Sequence, residues 1–203
     1  MQRRYGIPAA ATAPPAFELG RAEWVALPDL GIPAVLAKID TGARTSALHA
    51  EAIEIRQTAG GPRVHFIIHP IVRRRDVAVA CEAPLIARRW VASSNGEREL
   101  RCVIGTTVAI GGRRWPIEAT LSNRDTMRFR MLLGQQAILD DMVVVPNSAS
   151  RQAVIGYDCY SNNSAIWAHQ RDRVDTGRRL RIGLIGEGVV GPLWQPLADA
   201  AQD

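Results

Sequence analysis

Lysine is almost absent from this chain of 203 residues. Lys38 is the single lysine among 25 basic residues, and all the others are arginine. Arginine prefers partners that accept two parallel hydrogen bonds, such as carboxylates and phosphates. The formal net charge of +5 therefore favours an acidic partner: nucleic acid, an acidic peptide or an anionic surface. A genome rich in arginine codons would explain the charge equally well.

Cysteines are also few. Cys81, Cys102 and Cys159 are odd in number and show no C-x-x-C spacing. This pattern argues against a disulfide framework and a paired-cysteine zinc site, and it favours a reducing compartment. The first twenty residues have no apolar core of signal-peptide length, and no apolar run reaches the roughly 20 residues of a membrane span. We expect a cytoplasmic protein with no membrane partner.

Aromatic residues make up only 5% of the chain and rarely alternate with the arginines. Trp90 and Trp115, which each follow an arginine pair, are the only candidates for stacking on bases. Nucleic acid is therefore a disfavoured partner. The alternative to an enzyme is a non-catalytic, Arg-rich β-barrel that binds RNA or an acidic peptide. There is no G-x-x-x-x-G-K-[ST] loop, so nothing in the sequence indicates ATP binding.

The chain divides into three segments by composition. Residues 1–21 are rich in Ala and Pro, and we predict that they are disordered. Residues 22–146 contain short β-branched runs without long helices, which predicts a mainly β domain. Hairpin turns are predicted at Gly111-Gly112 and at Asn95-Gly96, the second being our candidate for a flap over the site. Residues 147–203 are predicted to form an irregular C-terminal extension.

The extension contains two motifs that we expect to be fortuitous. Gly186-x-Gly188-x-x-Gly191 follows an apolar run, but a dinucleotide site needs a complete βαβ unit, so we do not expect NAD. Asp175-Thr-Gly177 follows a polar stretch that would make a poor buried strand.

The segment "AVLAKIDTGA" is the strongest candidate for a site, because it carries Asp40 from an apolar strand into a turn. A lone buried carboxylate is costly, whereas two carboxylates that share one proton can activate water for amide hydrolysis. Thr41 can brace such a turn by hydrogen bonding, and Gly42 permits close approach of the backbone to a substrate. The triplet by itself also fits an Asp that simply begins a turn.

About ninety residues later, "RFRMLLGQQAIL" places Leu132, Leu133 and Gly134 before a predicted short helix. Together with Asp40 to Ala43, this segment resembles the retropepsin-like aspartic peptidases. The stretches "LPDLGIPAVLAKIDTGARTSALHA", "HFIIHP", "CEAPLI" and "LSNRDTMRFRMLLG" narrow the resemblance further. Residues 20–146 resemble the bacterial RimB-like family, often labelled "ATP-dependent zinc protease".

The resemblance implies a retropepsin-like closed β-barrel of the acid-protease type with one short helix. It implies that Asp40 is catalytic and that one such turn per chain requires a homodimer with one Asp40 from each subunit. Family members usually have Arg after the Gly of the second motif, where this chain has Gln135. The residues implied to support the catalytic turn are Thr41, Gly42, Ala43, Leu133 and Gly134.

The resemblance also implies a substrate and a partner. RimB-like members occur beside ATP-grasp ligases of the RimK type, and are thought to trim the glutamate tails that those ligases add. We therefore expect an acidic or glutamate-tailed peptide as substrate. Arg128 and Arg130 should point together if they lie on a strand, although any arginine pair could equally be solvated surface. The candidate substrate-binding residues are Arg44, His69, Arg124, Arg128 and Arg130.

The common label of the family mentions zinc, but the sequence shows little evidence of a zinc-binding site. There is no H-E-x-x-H motif, and His65 and His69 would lie roughly 13 Å apart along a strand. Convergence of Asp40, His49 and His69 in the fold would still permit a zinc-dependent peptidase, which we keep as an alternative. A histidine at a strand end before Pro70 is the simpler interpretation of His69. We expect no metal and no other cofactor.

Overall fold

The computed structural model describes residues 16–92, 96 and 98–161. Nearly all of the regular structure in this part of the chain is β. The strands are β1 (Phe17–Leu19), β2 (Ala22–Leu27), β3 (Ile32–Asp40), β4 (Ser46–His49), β5 (Glu51–Thr58), β6 (Gly61–Ile68), β7 (Val79–Ala92), β8 (Arg98–Ile110), β9 (Arg113–Ser122), β10 (Met131–Gly134) and β11 (Met142–Val144). Short 3-10 helices cover Pro28–Leu30, Gln135–Ala137 and Asp158–Tyr160. None of the described helices is long and apolar enough to cross a membrane.

Six strands form a closed ring. Their order is β2, β3, β10, β4, β9 and β8, and β8 returns to β2 through the pairing of Ala26 with Ala109. The ring encloses aliphatic side chains such as Leu27, Ile104 and Leu133, all fully buried. The predicted mainly β fold with a closed sheet is therefore confirmed, as is the short helix after Gly134.

The sheet continues beyond the ring through β7, β6 and β5. The turn between β8 and β9 uses Gly111 and Gly112, which both have positive φ (54° and 82°), as a tight hairpin requires. The arms of the hairpin formed by β7 and β8 pair out to Ala92 and Arg98. Asn95 of the predicted flap lies outside the described residues.

The described domain extends past the predicted limits of 22 and 146 at both ends. Strand β1 lies inside the segment predicted to be disordered, and it pairs in parallel with β11, Phe17 opposite Met142. Glu23, which is fully buried, accepts hydrogen bonds from the Ser150 hydroxyl at 2.6 Å and from the Arg151 N–H at 2.8 Å. The Tyr160 hydroxyl reaches the Ala34 carbonyl at 2.5 Å. Buried and part-buried hydrogen bonds thus attach residues 150–160 to the ring.

Two of the motifs discussed above fall outside the described residues: the Asp175-Thr-Gly177 triplet and the glycines at 186, 188 and 191.

Candidate active site

Asp40 ends β3 and begins a tight turn. Its backbone carbonyl accepts the Ala43 N–H at 3.2 Å, and its Oδ1 accepts the Gly42 N–H at 3.3 Å. Thr41 and Gly42 are exposed, so the tip of the turn faces outward from the single chain. The carboxylate is held by its own turn and is still accessible.

The second predicted motif packs directly against this turn. In the parallel pairing of β10 with β3, Gly134 lies opposite Asp40 and Leu133 lies opposite Ile39. The Gln135 N–H donates to the Ala43 carbonyl at 2.7 Å, and the Gly134 N–H donates to the Ser46 hydroxyl at 3.2 Å. The structure therefore brings together two segments that lie about ninety residues apart in the sequence.

The backbone around position 134 leaves room only for glycine. A Cβ at this position would lie 2.5 Å from the carbonyl carbon of Thr45 and 2.9 Å from the backbone nitrogen of Ser46. Backbone atoms cannot move aside as the end of a side chain can. Only glycine lets β10 approach the chain that leaves the Asp40 turn.

The charges around Asp40 are positive. The Lys38 ammonium donates to Asp40 Oδ2 at 2.9 Å, and this contact, together with the turn N–H groups, lowers the pKa of the Asp40 carboxyl. The charge of Asp40 also acts on the half-buried Arg124 guanidinium, whose own pKa is lowered chiefly by burial. Asp40 is therefore ionised at neutral pH in the single chain.

A cavity of about 1000 Å³ lies beside the turn, between it and the arms of the hairpin of β7 and β8. Arg44 and Gln136 line it from the side of the turn, and Arg89 and the exposed Trp90 line it from the hairpin. Thr106, also in its lining, has a buried hydroxyl without a hydrogen-bond partner in the described structure. Among the predicted substrate-binding residues, Arg44 is thus placed at a cavity of ligand size.

Arg128 and Arg130 do not point together, contrary to the prediction. Residues 123–130 form a loop between β9 and β10, so the alternation of a strand does not apply. Arg128 is exposed over the Phe129 ring, whereas Arg130 is buried and donates to Asp125 at 2.9 Å. Arg130 is thereby committed to an internal ion pair.

His69 follows β6 and packs inside a polar network. Its Nδ1 lies 3.3 Å from the Val77 carbonyl, and its Nε2 lies 3.8 Å from Glu51. The Arg75 guanidinium bridges Glu51 and Asp125, at 3.1 Å and 2.8 Å. These contacts fit the simpler interpretation, a histidine satisfied at a strand end, better than a role in substrate binding.

Within the described residues, His49, Glu51 and Asp125 are the set that brings three potential metal-ligating atoms within 4.8 Å of one another, and Asp40 is not part of it. The chemistry of this set does not fit zinc. His49 Nδ1 accepts the Arg124 N–H at 2.9 Å, so in the neutral ring Nε2 carries the proton and has no lone pair for a metal. In zinc sites the second ring nitrogen usually donates a hydrogen bond rather than accepting one. Arginines already neutralise both carboxylates.

Comparison with known proteins assigns the family. Residues 18–154 match the description "Retropepsin-like aspartic endopeptidase RimB", which covers two thirds of the chain. The chain belongs to the RimB-like family. This confirms the resemblance found in the sequence, and the turn at Asp40 and β10 both lie within the matched range.

Curated relatives of this RimB-like chain carry a different name. A Shewanella pealeana protein is 39% identical over 171 residues, covering 83% of this chain and 36% of the relative. A Desulfotalea psychrophila protein is 44% identical over 167 residues, covering 82% of this chain and 35% of the relative. Both are named "probable alpha-L-glutamate ligase". The chain spans about a third of the length of these relatives.

A solved structure shares the fold. The Legionella pneumophila protein Lpg0085, of unknown function, superposes with a TM-score of 0.54 at 26% sequence identity. The match covers 64% of this chain and 93% of the Legionella protein. The shared architecture therefore makes up nearly all of the solved Legionella chain.

Sequence reasoning missed two residues of the site. Lys38 is two positions before Asp40 on a strand, and that spacing alone places the two side chains on one face. Arg89 belongs to the arginine pair before Trp90, and its place at the cavity depends on how the hairpin of β7 and β8 lies against the Asp40 turn, which the predicted hairpin at Asn95-Gly96 does not specify.

Proposed function

We propose that this chain is a homodimeric aspartic peptidase in which Asp40 of each subunit forms the catalytic dyad. The observation that carries the proposal is the Asp40 turn. Strand β10 pairs with the strand that leads into this turn, and the tip of the turn is exposed. Membership of a family described as retropepsin-like aspartic endopeptidases supports the same chemistry.

The dimer follows from the number of carboxylates. One carboxylate cannot act as base and acid in the same step, whereas a shared-proton pair can. In the described residues, Asp40-Thr41-Gly42 is the single turn of this kind, so a second copy of the chain must supply the other Asp40. The exposure of Thr41 and Gly42 leaves the tip free for such a contact.

The expected reaction is hydrolysis of an amide bond. The ionised Asp40 removes a proton from water, whose oxygen attacks the scissile carbonyl, while the protonated Asp40 donates its proton to the carbonyl oxygen. The tetrahedral intermediate then collapses: one of its hydroxyl groups gives a proton to the ionised Asp40, the C–N bond breaks, the nitrogen takes the proton of the other Asp40 and the carboxylic product forms. The dyad ends with one shared proton, as it began.

We propose acidic or glutamate-ligated peptides as substrates. The positive side chains of Lys38, Arg44 and Arg124 lie at or near the turn and the cavity, whereas Arg89 in the cavity lining is paired with Glu118 at 2.6 Å. Such groups bind carboxylates through charge-assisted hydrogen bonds. Relatives named glutamate ligase contain a region similar to this chain within a longer protein, which supports a link to glutamate amide bonds and to an ATP-grasp ligase as partner.

A non-catalytic module that holds an acidic peptide for a ligase is the second candidate. The names of the relatives and the ion pair between Lys38 and Asp40 favour it, because a paired carboxylate is not free to act as a base. The two candidates differ in what Asp40→Asn does. The variant would abolish cleavage by a peptidase, whereas a binding module would retain its affinity.

The test is mass spectrometry of a peptide with added C-terminal glutamates, incubated with the wild-type chain and with Asp40→Asn, with and without chelator. Trimming that survives chelator and vanishes in the variant is the expected result. Loss of trimming with chelator would contradict the aspartic mechanism. Binding of the peptide without cleavage by either protein would favour the second candidate. Sedimentation of active protein as a monomer would contradict the dimer.

A further inference from the structure

Lys38 contacts the carboxylate that the proposed function makes catalytic. Its Nζ lies 2.9 Å from Asp40 Oδ2, and its side chain is half exposed, so it can leave this contact without disturbing the core. The chain has 25 basic residues and one lysine, which leaves 24 arginines. Because the chain otherwise uses arginine as its basic residue, amino-acid composition does not explain why position 38 is a lysine.

Groups from three parts of the fold act on the Asp40 carboxylate. Lys38 approaches from the same strand, Arg124 acts from the loop between β9 and β10, and the Gly42 N–H donates from the turn. All three favour the ionised form. In the proposed dimer, the partner's Asp40 adds a negative charge that favours protonation.

These charges create a conflict with the chemistry. The dyad must hold one proton, and it does so because two negative carboxylates at close range repel each other. An ammonium group on each carboxylate weakens that repulsion and favours two ionised carboxylates. As long as both lysines remain in place, protonation of the dyad is less favourable, and a smaller fraction of the enzyme holds the proton that must be donated to the scissile carbonyl.

We propose that Lys38 is a specificity-determining residue that leaves Asp40 for a carboxylate of the substrate and thereby allows the dyad to take up its proton. This inference rests on the proposed function and names how the same site selects acidic substrates. The Lys38 ammonium exchanges one carboxylate partner for another, and the dyad gains one proton from solvent. A neutral side chain in the same place offers the ammonium no partner and leaves the dyad mostly unprotonated.

Lysine suits this exchange better than arginine. An ammonium on a flexible four-carbon stem is a point charge that can turn between two acceptors, whereas guanidinium holds a carboxylate in a fixed two-point geometry. Arg124, which is half buried, would remain in place while Lys38 moves.

The first test measures cleavage. Two peptides differ only in Glu or Gln at the residue that supplies the scissile carbonyl, and each is given to wild type and Lys38→Met. We expect wild type to prefer Glu by about tenfold or more in kcat/KM, the range of a charge-assisted hydrogen bond. In Lys38→Met the preference falls to about threefold or less, and the upper pH limit of kcat/KM on the Gln peptide rises, since kcat/KM reports the free enzyme.

The second test needs no turnover. Carbon-detected NMR of the Asp40 carboxyl follows its titration in wild type, Lys38→Met and Lys38→Arg, with and without a glutamate-containing peptide whose scissile amide is replaced by an uncleavable bond. We expect the peptide to raise the pKa of Asp40 in wild type and to leave it unchanged in Lys38→Met. We expect a smaller rise in Lys38→Arg, because arginine retains the carboxylate.

Arg56→Met is the matched control, because it removes one positive charge from exposed β5 at the far end of the sheet order. It should behave as wild type in both tests. The inference would be overturned if Lys38→Met kept the wild-type preference for Glu over Gln. It would also be overturned if the peptide did not change the pKa of Asp40 in wild type. If neither peptide is cleaved by any variant, the proposed peptidase fails, and the NMR titration still decides the role of Lys38.

Discussion

Replacing Gly134 by alanine should damage the site more than it damages the fold. The added methyl group would lie 2.5 Å from the Thr45 carbonyl carbon, well inside contact distance. The backbone at Gly134 has φ −83° and ψ 170°, which alanine adopts without strain, so the cost is entirely one of space. Relief requires β10 to move away from the chain that follows the Asp40 turn.

The magnitude follows from that displacement. Overpacking of this kind costs about 1–3 kcal/mol, which for a domain of this size corresponds to a fall in Tm of roughly 3–10 °C. A shift of the Asp40 turn by about 1 Å would lower kcat by about a hundredfold. We therefore expect a folded protein with little activity, measured by thermal unfolding and by cleavage of the glutamate-tailed peptide.

Gly60→Ala is the matched control. A Cβ at Gly60 would meet only the Thr58 hydroxyl, at 4.0 Å, and the residue is exposed between β5 and β6. It should leave both Tm and activity close to wild type. Wild-type Tm and activity in Gly134→Ala would refute the argument that contact between β10 and the turn fixes Asp40.

Two further predictions concern buried polar groups. Glu23→Ala should cost about 3 kcal/mol or more in urea unfolding, since it leaves donors such as the Ser150 hydroxyl and the Arg151 N–H without their acceptor; a loss below about 1 kcal/mol would contradict this. Burial and the charge of Arg130 lower the pKa of His49, so the folded state resists its protonation and the protein should lose stability as pH falls below about 6.5. His49→Asn, whose side-chain oxygen can still accept the Arg124 N–H, should remove that part of the pH dependence in thermal unfolding, and an unchanged pH profile would refute the assignment.

The mainly β fold, the Asp40 turn and the segment ending at Gly134 could be predicted from the sequence. Alternating and β-branched runs, together with Gly111-Gly112, indicated strands and a hairpin that the structure contains. The pairing of the Asp40 turn with Gly134 could be foreseen only through resemblance to a family, because strand periodicity does not say which strands become neighbours.

The remaining features depend on tertiary contacts. Asn123 and Asp125 are turn-forming residues, and the Asp125 N–H donates to Asn123 Oδ1 at 3.0 Å. Nothing in the sequence marks where this loop ends, so the prediction that Arg128 and Arg130 share a face fails: one is exposed and the other buried. The hydrogen bond from Arg124 to His49 joins positions 75 residues apart. No local sequence pattern encodes such a contact. This hydrogen bond leaves His49 Nε2 without a lone pair for zinc, so the misfit to zinc could not be predicted from the sequence.

The insertion of β10 between β3 and β4 determines when the site can form. Strands β3 and β4 are adjacent in sequence, and the strand that separates them in the sheet is made about ninety residues later. Pairings at such sequence separation form slowly, because the intervening chain must first be ordered. During synthesis, a nascent chain of this domain therefore holds the Asp40 turn without its β10 partner until residue 134 has been made, and the proposed peptidase activity can begin only after that.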